Sequence, residues 1–515
     1  MATPGEKLAE SLEELKNLHD KGIVGIKTSD LSRVHRERLL KNEFIQEVFK
    51  GWYISVPHDE TKGDSTSWYL SYWGFCSDYL NDRFGEDYCI SADQSLLIHA
   101  GNESVPHQLI IRSSKGSNTS TNLPHNTSLF SMESSLPGTA ELTEWNGVKI
   151  LTLPSSLIYC PLALFQNNTT DVRTALAMIH DSSEILGLLL DGGHSKIAGR
   201  LAGAFRNIGK TKIADDILKT MKAAGYTVRE LDPFKTPTPV QLSMRERSPY
   251  VNRIKLMWNE MREVVLEVFP NAPGLPKNQE DYLNQVGEIY MTDAYHSLSI
   301  EKYRVTTDLI ERVRSGSWDA EENEADKSQR DAMAARGYWQ AFNSVKSSIT
   351  RILQGENSGE VTGEEHGDWY RELFAPSVTV GLLKASDLAG YRNNQVYIGQ
   401  SKHTPINKEG VRDVMPILFE LLGQEKEASV RAVLGHFVFV YTHPYMDGNG
   451  RMGRFLMNAM LASGGYPWTV IPVEERDNYM NALESASVEQ NIKPFAEFMA
   501  YLVDAGLKGA PVAKI

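Results

Sequence analysis

RAVLGHFVFVYTHPYMDGNGRMGRFLMNAMLAS, residues 431–463, decides the fold of the C-terminal part of this chain. Its apolar spacing predicts a helix that approaches through Leu434, Val438 and Tyr441, and a second that leaves through Phe455, Leu456 and Met460. Between them runs His443-Pro-Tyr-Met-Asp-Gly-Asn-Gly-Arg451. Helix, glycine-rich loop and helix make a natural anion site. Free amides of the loop and of the helix N-terminus around Gly448–Gly450 point outward, and the helix dipole adds to the attraction. The two glycines let the backbone take positive φ and approach a ligand closely.

The other groups that phosphoryl chemistry needs stand around that nest. Asp447 is a hard oxygen ligand suited to Mg²⁺, which normally binds through one or two carboxylates plus substrate phosphates. Arg451 and Arg454 lie three apart at the start of the exit helix, so both guanidinium forks reach one phosphate tail. His443 can accept a proton from an incoming hydroxyl at neutral pH. A GNG turn, a histidine at a helix end or two arginines at helical spacing are each commonplace alone. Their coincidence within twelve residues points to a site.

Outside this stretch the chain of 515 residues is too long for one hydrophobic core, and its length suggests about three domains. The net charge of −13 argues against a polybasic protein that coats nucleic acid or membrane. Cys76, Cys89 and Cys160 match no zinc spacing and read as reduced, partly buried thiols. The N-terminus is amphipathic without an apolar core segment, so no signal peptide is expected, and no run reaches the length of a membrane span. The expectation is a cytoplasmic protein that does not engage a membrane.

Along the chain, Leu8, Leu12, Leu15 and Leu18 predict a helix over 5–20. A short helix around Leu31, a helix over Val34–Lys41 and two strands in Phe44–Ile54 turning at Lys50-Gly51 follow. That order is the plan of a winged helix-turn-helix, predicted for 1–67, with Arg33, Arg36, Arg38 and Lys41 as basic residues of its second helix. Residues 68–231 read as a mixed α/β region, β-like from about Trp68 to Leu153. Its short β runs are Leu96–His99, Gln108–Arg112, Ser128–Met132 and Val148–Leu153, with helices over 171–226. Residues 232–248 read as a Pro-rich linker and 249–515 as a helix-rich domain, with Ser315–Arg330 and Gly355–Asp368 as surface loops.

His443-Pro-Tyr-Met-Asp-Gly-Asn-Gly-Arg-Met-Gly-Arg454 closely resembles the signature of the Fic family, H-P-F-x-D/E-G-N-G-R-x-x-R, with Tyr445 where Phe is usual. The resemblance implies an all-α domain and transfer of AMP from Mg-ATP to a Ser, Thr or Tyr hydroxyl of a protein. It makes His443 the general base and Asp447 the Mg²⁺ ligand. Gly448, Asn449 and Gly450 become the phosphate nest, Arg451 the polyphosphate ligand and Arg454 the ligand of the terminal phosphate. Gly390-Tyr-Arg-Asn-Asn-Gln-Val-Tyr-Ile-Gly399 resembles the family's β-hairpin flap, which implies a strand over Val396, Tyr397 and Ile398 that docks the target segment. Arg476–Ser485, with Tyr479 and Asn481, is similar to the region that flanks the nucleotide in relatives.

Ala294-Tyr-His-Ser297-Leu-Ser-Ile-Glu301-Lys302 resembles the family's autoinhibitory helix, S/T-x-x-x-E-G/N. It implies an inhibitory helix around 290–305 whose Glu301 pairs with Arg454 and displaces the terminal phosphate. Lys302 stands where Gly or Asn is usual. The N-terminal part loosely resembles winged-helix regulators of the antitoxin and viral-defence type. The whole reads as an α+β multidomain protein: an N-terminal winged-helix-like domain, a mixed α/β middle region and a C-terminal all-α Fic domain with a β-hairpin flap. Two other functions stay open at this point. One is a Fic relative that uses another nucleotide or removes AMP; the other is a DNA-binding transcriptional regulator whose Fic domain senses ATP. DNA contact through the N-terminal domain and a homodimer likewise stay open as partners.

Overall fold

Helix α1 (Pro4–Asp20) begins at a capping box, in which the Thr3 hydroxyl accepts from the Glu6 amide and the Glu6 carboxylate from the Thr3 amide. Its Leu15 and Leu18 pack with Ile26, Leu31, Leu39, Ile45 and Tyr53 in a small core. The remaining parts of that core are β1 (Ile26–Lys27), α2 (Arg33–Lys41), β2 (Ile45–Phe49) and β3 (Trp52–Ser55), the strands forming an antiparallel sheet in the order β1-β3-β2. The helix expected around Leu31 is instead a turn: the Lys27 carbonyl accepts from the Asp30 amide, and the Asp30 carboxylate accepts from the Lys27 amide. On α2 the basic side chains are largely engaged within the fold. Arg33 pairs with Glu37, Arg36 donates to the Thr28 carbonyl, and Arg38 donates to the Lys7 carbonyl and the Ser11 hydroxyl.

This computed structural model describes residues 3–57, 63–238, 246, 248–316 and 330–515. They fall into two units, 1–253 with 397–404, and 254–396 with 405–515. Residues 239–245 and 247 of the expected linker at 232–248, and residues 317–329 of the expected loop at 315–330, lie outside the described residues. Among the described residues no helix is long and apolar enough to cross a membrane.

The rest of the first unit departs from the expected β-like start. Residues 66–84 form helix α3 (Thr66–Phe84), which buries Trp68, Tyr72, Trp73, Phe75 and Tyr79. An aromatic segment apolar on most of its circumference makes a buried helix, and composition alone reads it as strand. Leu96–His99, expected as strand, ends helix α4 (Ala92–His99). The four-stranded sheet runs β4-β5-β7-β6, built from β4 (Cys89–Ile90), β5 (Gln108–Ser113), β6 (Thr119–Leu123) and β7 (Thr127–Glu133). Only the β5–β7 pairing is parallel. A hairpin of β8 (Leu142–Trp145) and β9 (Val148–Leu151) follows. Helices α5 (Leu153–Tyr159), α6 (Leu162–Asn167), α7 (Thr169–Ala177), α8 (Ser183–Asp191), α9 (Ser195–Asn207) and α10 (Thr211–Ala223) complete it. A fully buried ion pair joins Asp171 of α7 to Arg253, with the Asn102 amide also on the carboxylate.

The second unit is helical. In order it has α11 (Pro249–Val268) from Ile254 onward, α12 (Gln279–Ile300), α13 (Thr307–Ser315), α14 (Arg330–Leu353), α15 (Ser358–Thr379), α16 (Lys408–Gln424), α17 (Ala428–Thr442), α18 (Asn449–Ala462), α19 (Arg476–Val488) and α20 (Lys493–Leu507). The expected loop at Gly355–Asp368 is mostly helix α15, started by the Asn357 cap. Its glycines mark close packing instead. A Cβ on Gly359 would collide with the backbone of Gly423 and Phe419, and one on Gly363 would press on the Phe419 ring, so α15 and α16 approach closely. The β-hairpin flap is not formed, since Val396, Tyr397 and Ile398 are irregular backbone and 391–407 contains no strand.

Candidate active site

Helix α17 is apolar on nearly every side and ends where His443 turns left-handed, at φ 52° and ψ 61°. Pro444 cannot continue the helix. The Tyr445 ring is buried and stacks on Tyr370 at 3.9 Å between centroids and 6° between planes, so the Tyr-for-Phe change keeps the anchor. Asn449 closes the loop on itself: its Oδ1 accepts from the Tyr445 amide and its Nδ2 donates to the Tyr445 carbonyl, both at 2.9 Å. Its side chain is thereby consumed inside the loop, and only its backbone faces the nest.

Gly448 is the N-cap of α18 at φ 79°, and a Cβ there would also collide with the Phe374 ring. Two requirements converge on one glycine. Gly450 is needed for a different reason, because a Cβ on it would meet the Glu301 carboxylate. A protein carboxylate thus already sits at the positive end of α18, where the helix favours an anion.

Arg454 is 3% exposed and draws together the face of α12 on which Ser297 and Glu301 follow one another at one helical turn. Its Nε donates to Ser297 Oγ at 2.8 Å, and its Nη2 donates to Ser297 O at 3.0 Å and to Glu301 Oε1 at 2.8 Å. Burial alone would raise the Glu301 carboxyl, but the charges of Arg454 and Arg451, the bond from Arg454 and the charge of Arg476 hold it below the ordinary range. Arg476, at the start of α19, also donates to the Ile300 carbonyl at 2.9 Å.

Arg451 is held by aromatic faces, with Tyr303 and Phe374 centred 5.1 and 5.0 Å from its guanidinium carbon. Its Nη2 lies 3.6 Å from Asp447 Oδ2. Two donors remain over. Arg451 Nε and Arg454 Nη1 are buried without a hydrogen-bond partner among the described residues. Buried guanidinium donors are seldom left so, and a phosphate at the N-terminus of α18 would satisfy them. Asp447, 63% exposed, presents a single carboxylate at the rim. One carboxylate plus substrate phosphates is a normal Mg²⁺ donor set, so the residues fit that ion when a nucleotide is bound.

His443 Nδ1 lies 3.2 Å from the Val440 carbonyl, which can only accept, so the proton is assigned to Nδ1 and Nε2 is left as the base. Burial, reinforced by the charge of Arg392, pushes the imidazole down to about 4 despite the Val440 bond, and the ring is neutral at pH 7. Tyr479 is brought in as well. Its hydroxyl lies 2.8 Å from His436 Nε2, and its ring is buried beside Arg454. Asn481 is not, being exposed on α19. Arg392, Tyr303, Phe374 and Arg476 were not singled out as site residues by the sequence reading. Only Arg392 and Arg476 carried a signal, lying inside the Gly390–Gly399 and Arg476–Ser485 stretches.

The arrangement gathers a helix N-terminus, two guanidinium groups with donors to spare and a neutral histidine, chemistry that can hold an anion and accept a proton. Residues 364–461 match the Fic/DOC family. It is 28% identical over 217 residues to the protein adenylyltransferase Fic of Drosophila virilis, which covers 41% of each chain. To the protein of the same name from Drosophila ananassae it is 38% identical over 114 residues, 21% of this chain and 22% of that one. The chain thus spans about two fifths, or less, of the length of these relatives. A solved fragment of Fic-1 from C. elegans is 18% identical, covering 61% of this chain and 96% of the fragment at a TM-score of 0.38.

Proposed function

We propose that this chain is a protein adenylyltransferase that moves AMP from Mg-ATP to a Ser, Thr or Tyr hydroxyl of a target protein or of itself, and that Glu301 restrains it. The observation that carries the reading is the convergence on one loop of a neutral base at His443, two buried orphan donors on Arg451 and Arg454, and a helix N-terminus. The names of the relatives are in keeping with it.

In this reaction the target hydroxyl gives its proton to His443 Nε2 as its oxygen attacks the α-phosphorus. The bond from that phosphorus to the bridging oxygen breaks, and pyrophosphate leaves with the electron pair. Amides at the start of α18 and the guanidinium groups of Arg451 and Arg454 stabilise the charge that develops on phosphate oxygens. Mg²⁺, held by Asp447, would neutralise the polyphosphate when bound. With Glu301 in the nest and on the Arg454 fork, a terminal phosphate and the carboxylate compete for the same donors. That competition favours a restrained enzyme.

Incubation with ATP labelled at the α-phosphate, Mg²⁺ and cell lysate tests the reading. Wild type is expected to label weakly, Glu301→Gly strongly, and Glu301→Gly/His443→Ala not at all. Absence of label with Glu301→Gly, while ATP still binds, would replace AMP transfer by another nucleotide, by AMP removal or by ATP sensing.

A further inference from the structure

Arg392 lies outside the signature loop and is 1% exposed. Its guanidinium spends its donors on backbone carbonyls at the end of helix α17 and at two points beyond it. Nε donates to His443 O at 2.7 Å, and Nη2 donates to Ile406 O and, at 3.4 Å, to Thr442 O. Nη1 donates to Asn394 O at 3.0 Å, and the Arg392 amide donates to Pro444 O at 2.9 Å. The last carbonyls of a helix lack partners within it, and a cation there also faces the negative end of the dipole.

What makes these bonds matter is the conformation of the residue they seize. His443 is left-handed at φ 52° without being glycine, a state that costs a side chain about 1–3 kcal/mol and needs the surroundings to enforce it. The φ and ψ of His443 aim its Cα–Cβ bond, and through it Nε2. Arg392 binds the carbonyls on both sides of that Cα–C unit, at Thr442 and His443, and the next one at Pro444.

We propose that Arg392 is the positioning residue of the reaction: by tying the carbonyls of Thr442, His443 and Pro444 to those of Asn394 and Ile406, it fixes the direction of the His443 base. It touches neither nucleotide nor target and acts through His443. The inference rests on the proposed transfer activity for its kinetic arm only. The charged groups that bear on the imidazole are Arg392 and, with opposite sign, Glu301 and Asp447. Removing Arg392 takes away the charge that disfavours the imidazolium and frees the ring to turn.

The test uses the full chain carrying Glu301→Gly, with Arg392→Met and Arg392→Lys added separately. Transfer by Arg392→Met is expected to fall about 10–100-fold in kcat, the size of a small misplacement of a reacting group. KM for ATP stays within about twofold, because the phosphate ligands are untouched. In the absence of ATP, NMR of selectively labelled histidines, with His443 identified by its loss in His443→Ala, reads the second arm. The His443 midpoint is expected to rise in Arg392→Met and to stay near the parent in Arg392→Lys, which keeps the charge. Lys restores kcat only in part, since one ammonium cannot replace the fork. An unmoved His443 midpoint with unchanged kcat in a folded Arg392→Met overturns the proposal, as does a loss seen only in KM for ATP. Should Arg392→Met fail to fold, Arg392→Lys decides: parental kcat there refutes the fork's role. If the parent transfers no AMP but the His443 midpoint moves as expected, the positioning stands and the proposed activity fails.

Discussion

Lys302 offers a sharp test of how helix α12 ends. The amide of Tyr303 bonds the Leu298 carbonyl at 3.1 Å and that of Lys302 the Ser299 carbonyl at 2.9 Å, the two bonds of a Schellman motif. Its C′ residue is therefore Lys302, at φ 65°, which is the conformation that favours Gly or Asn. A left-handed non-glycine residue costs about 1–2 kcal/mol. Lys302→Gly removes that strain, returns about 0.4–1 kcal/mol through the freer unfolded chain, and loses about 0.3 kcal/mol of favourable charge at a helix C-terminus. The net gain is about 0.5 kcal/mol and at most about 1.3 kcal/mol, a factor of about 2–9 in the local opening equilibrium. Hydrogen exchange of the Lys302 and Tyr303 amides measures that opening directly. Exchange of the Tyr303 amide, and of the amide at position 302, is expected to slow about 2–9-fold in Lys302→Gly and also in Lys302→Asn. Lys302→Ala retains the Cβ and should not slow it. Faster exchange in the Gly variant, or equal slowing in the Ala variant, would refute the reasoning.

Three further outcomes follow from buried ionisable groups. His366, His436 and His443 are all pushed down to about 4 by burial, so the native second unit stays unprotonated at these rings while the unfolded chain takes up protons below about 6.5. Stability is therefore lost as pH falls from about 6.5 toward 4, on the order of 2–3 kcal/mol for each of the buried rings of His366 and His436 and less for the half-buried His443, and urea titrations across that window check it. The acid limb of transfer should likewise lie near 4, and a midpoint near 6.5 would show His443 to be solvated like a free imidazole. In the first unit, Arg253→Met strands the buried Asp171 carboxylate and should cost about 3–5 kcal/mol in denaturant unfolding, while Asp171→Leu/Arg253→Met recovers most of it.

The loop from His443 to Arg454 was legible because local chemistry constrains nearly every residue in it. Gly448 needs positive φ, Gly450 needs room for a carboxylate, and Asn449 closes the turn with its own amide. Elsewhere the same rules misled where tertiary packing overrode them. The Val396–Ile398 run has strand composition yet lies in irregular backbone, and Gly359 and Gly363 read as loop residues although they are the contact stripe of a helix. Helix α3 is so rich in aromatic residues that its pattern carries no helical period to detect. Tyr303 and Phe374 were invisible as parts of the site for another reason. Their role is set by which guanidinium folds against them, and spacing along the chain does not encode that.

The loop also joins two helix ends of opposite sign. His443 stands at the C-terminus of α17, where the dipole favours a cation, and Gly450 at the N-terminus of α18, where it favours an anion. In the resting site burial and Arg392 keep the imidazole neutral, so Nε2 has a lone pair to offer. In the proposed transfer, once it has taken the hydroxyl proton, the imidazolium gains from the α17 terminus and from a stronger bond to the Val440 carbonyl, which at a helix C-terminus amounts to about 0.3–2 kcal/mol. The charge lost from the hydroxyl and the charge gathering on phosphate oxygens thus appear at helix ends already matched to them. Arg392 works against the first of these gains, so its place in the site is explained by the aim of the ring and not by stabilisation of its charge. A variant that kept the ring in place without the charge would be the more basic at neutral pH but would lose its lone pair at a higher pH than the native ring, and the Met and Lys substitutions separate that charge effect from the aim.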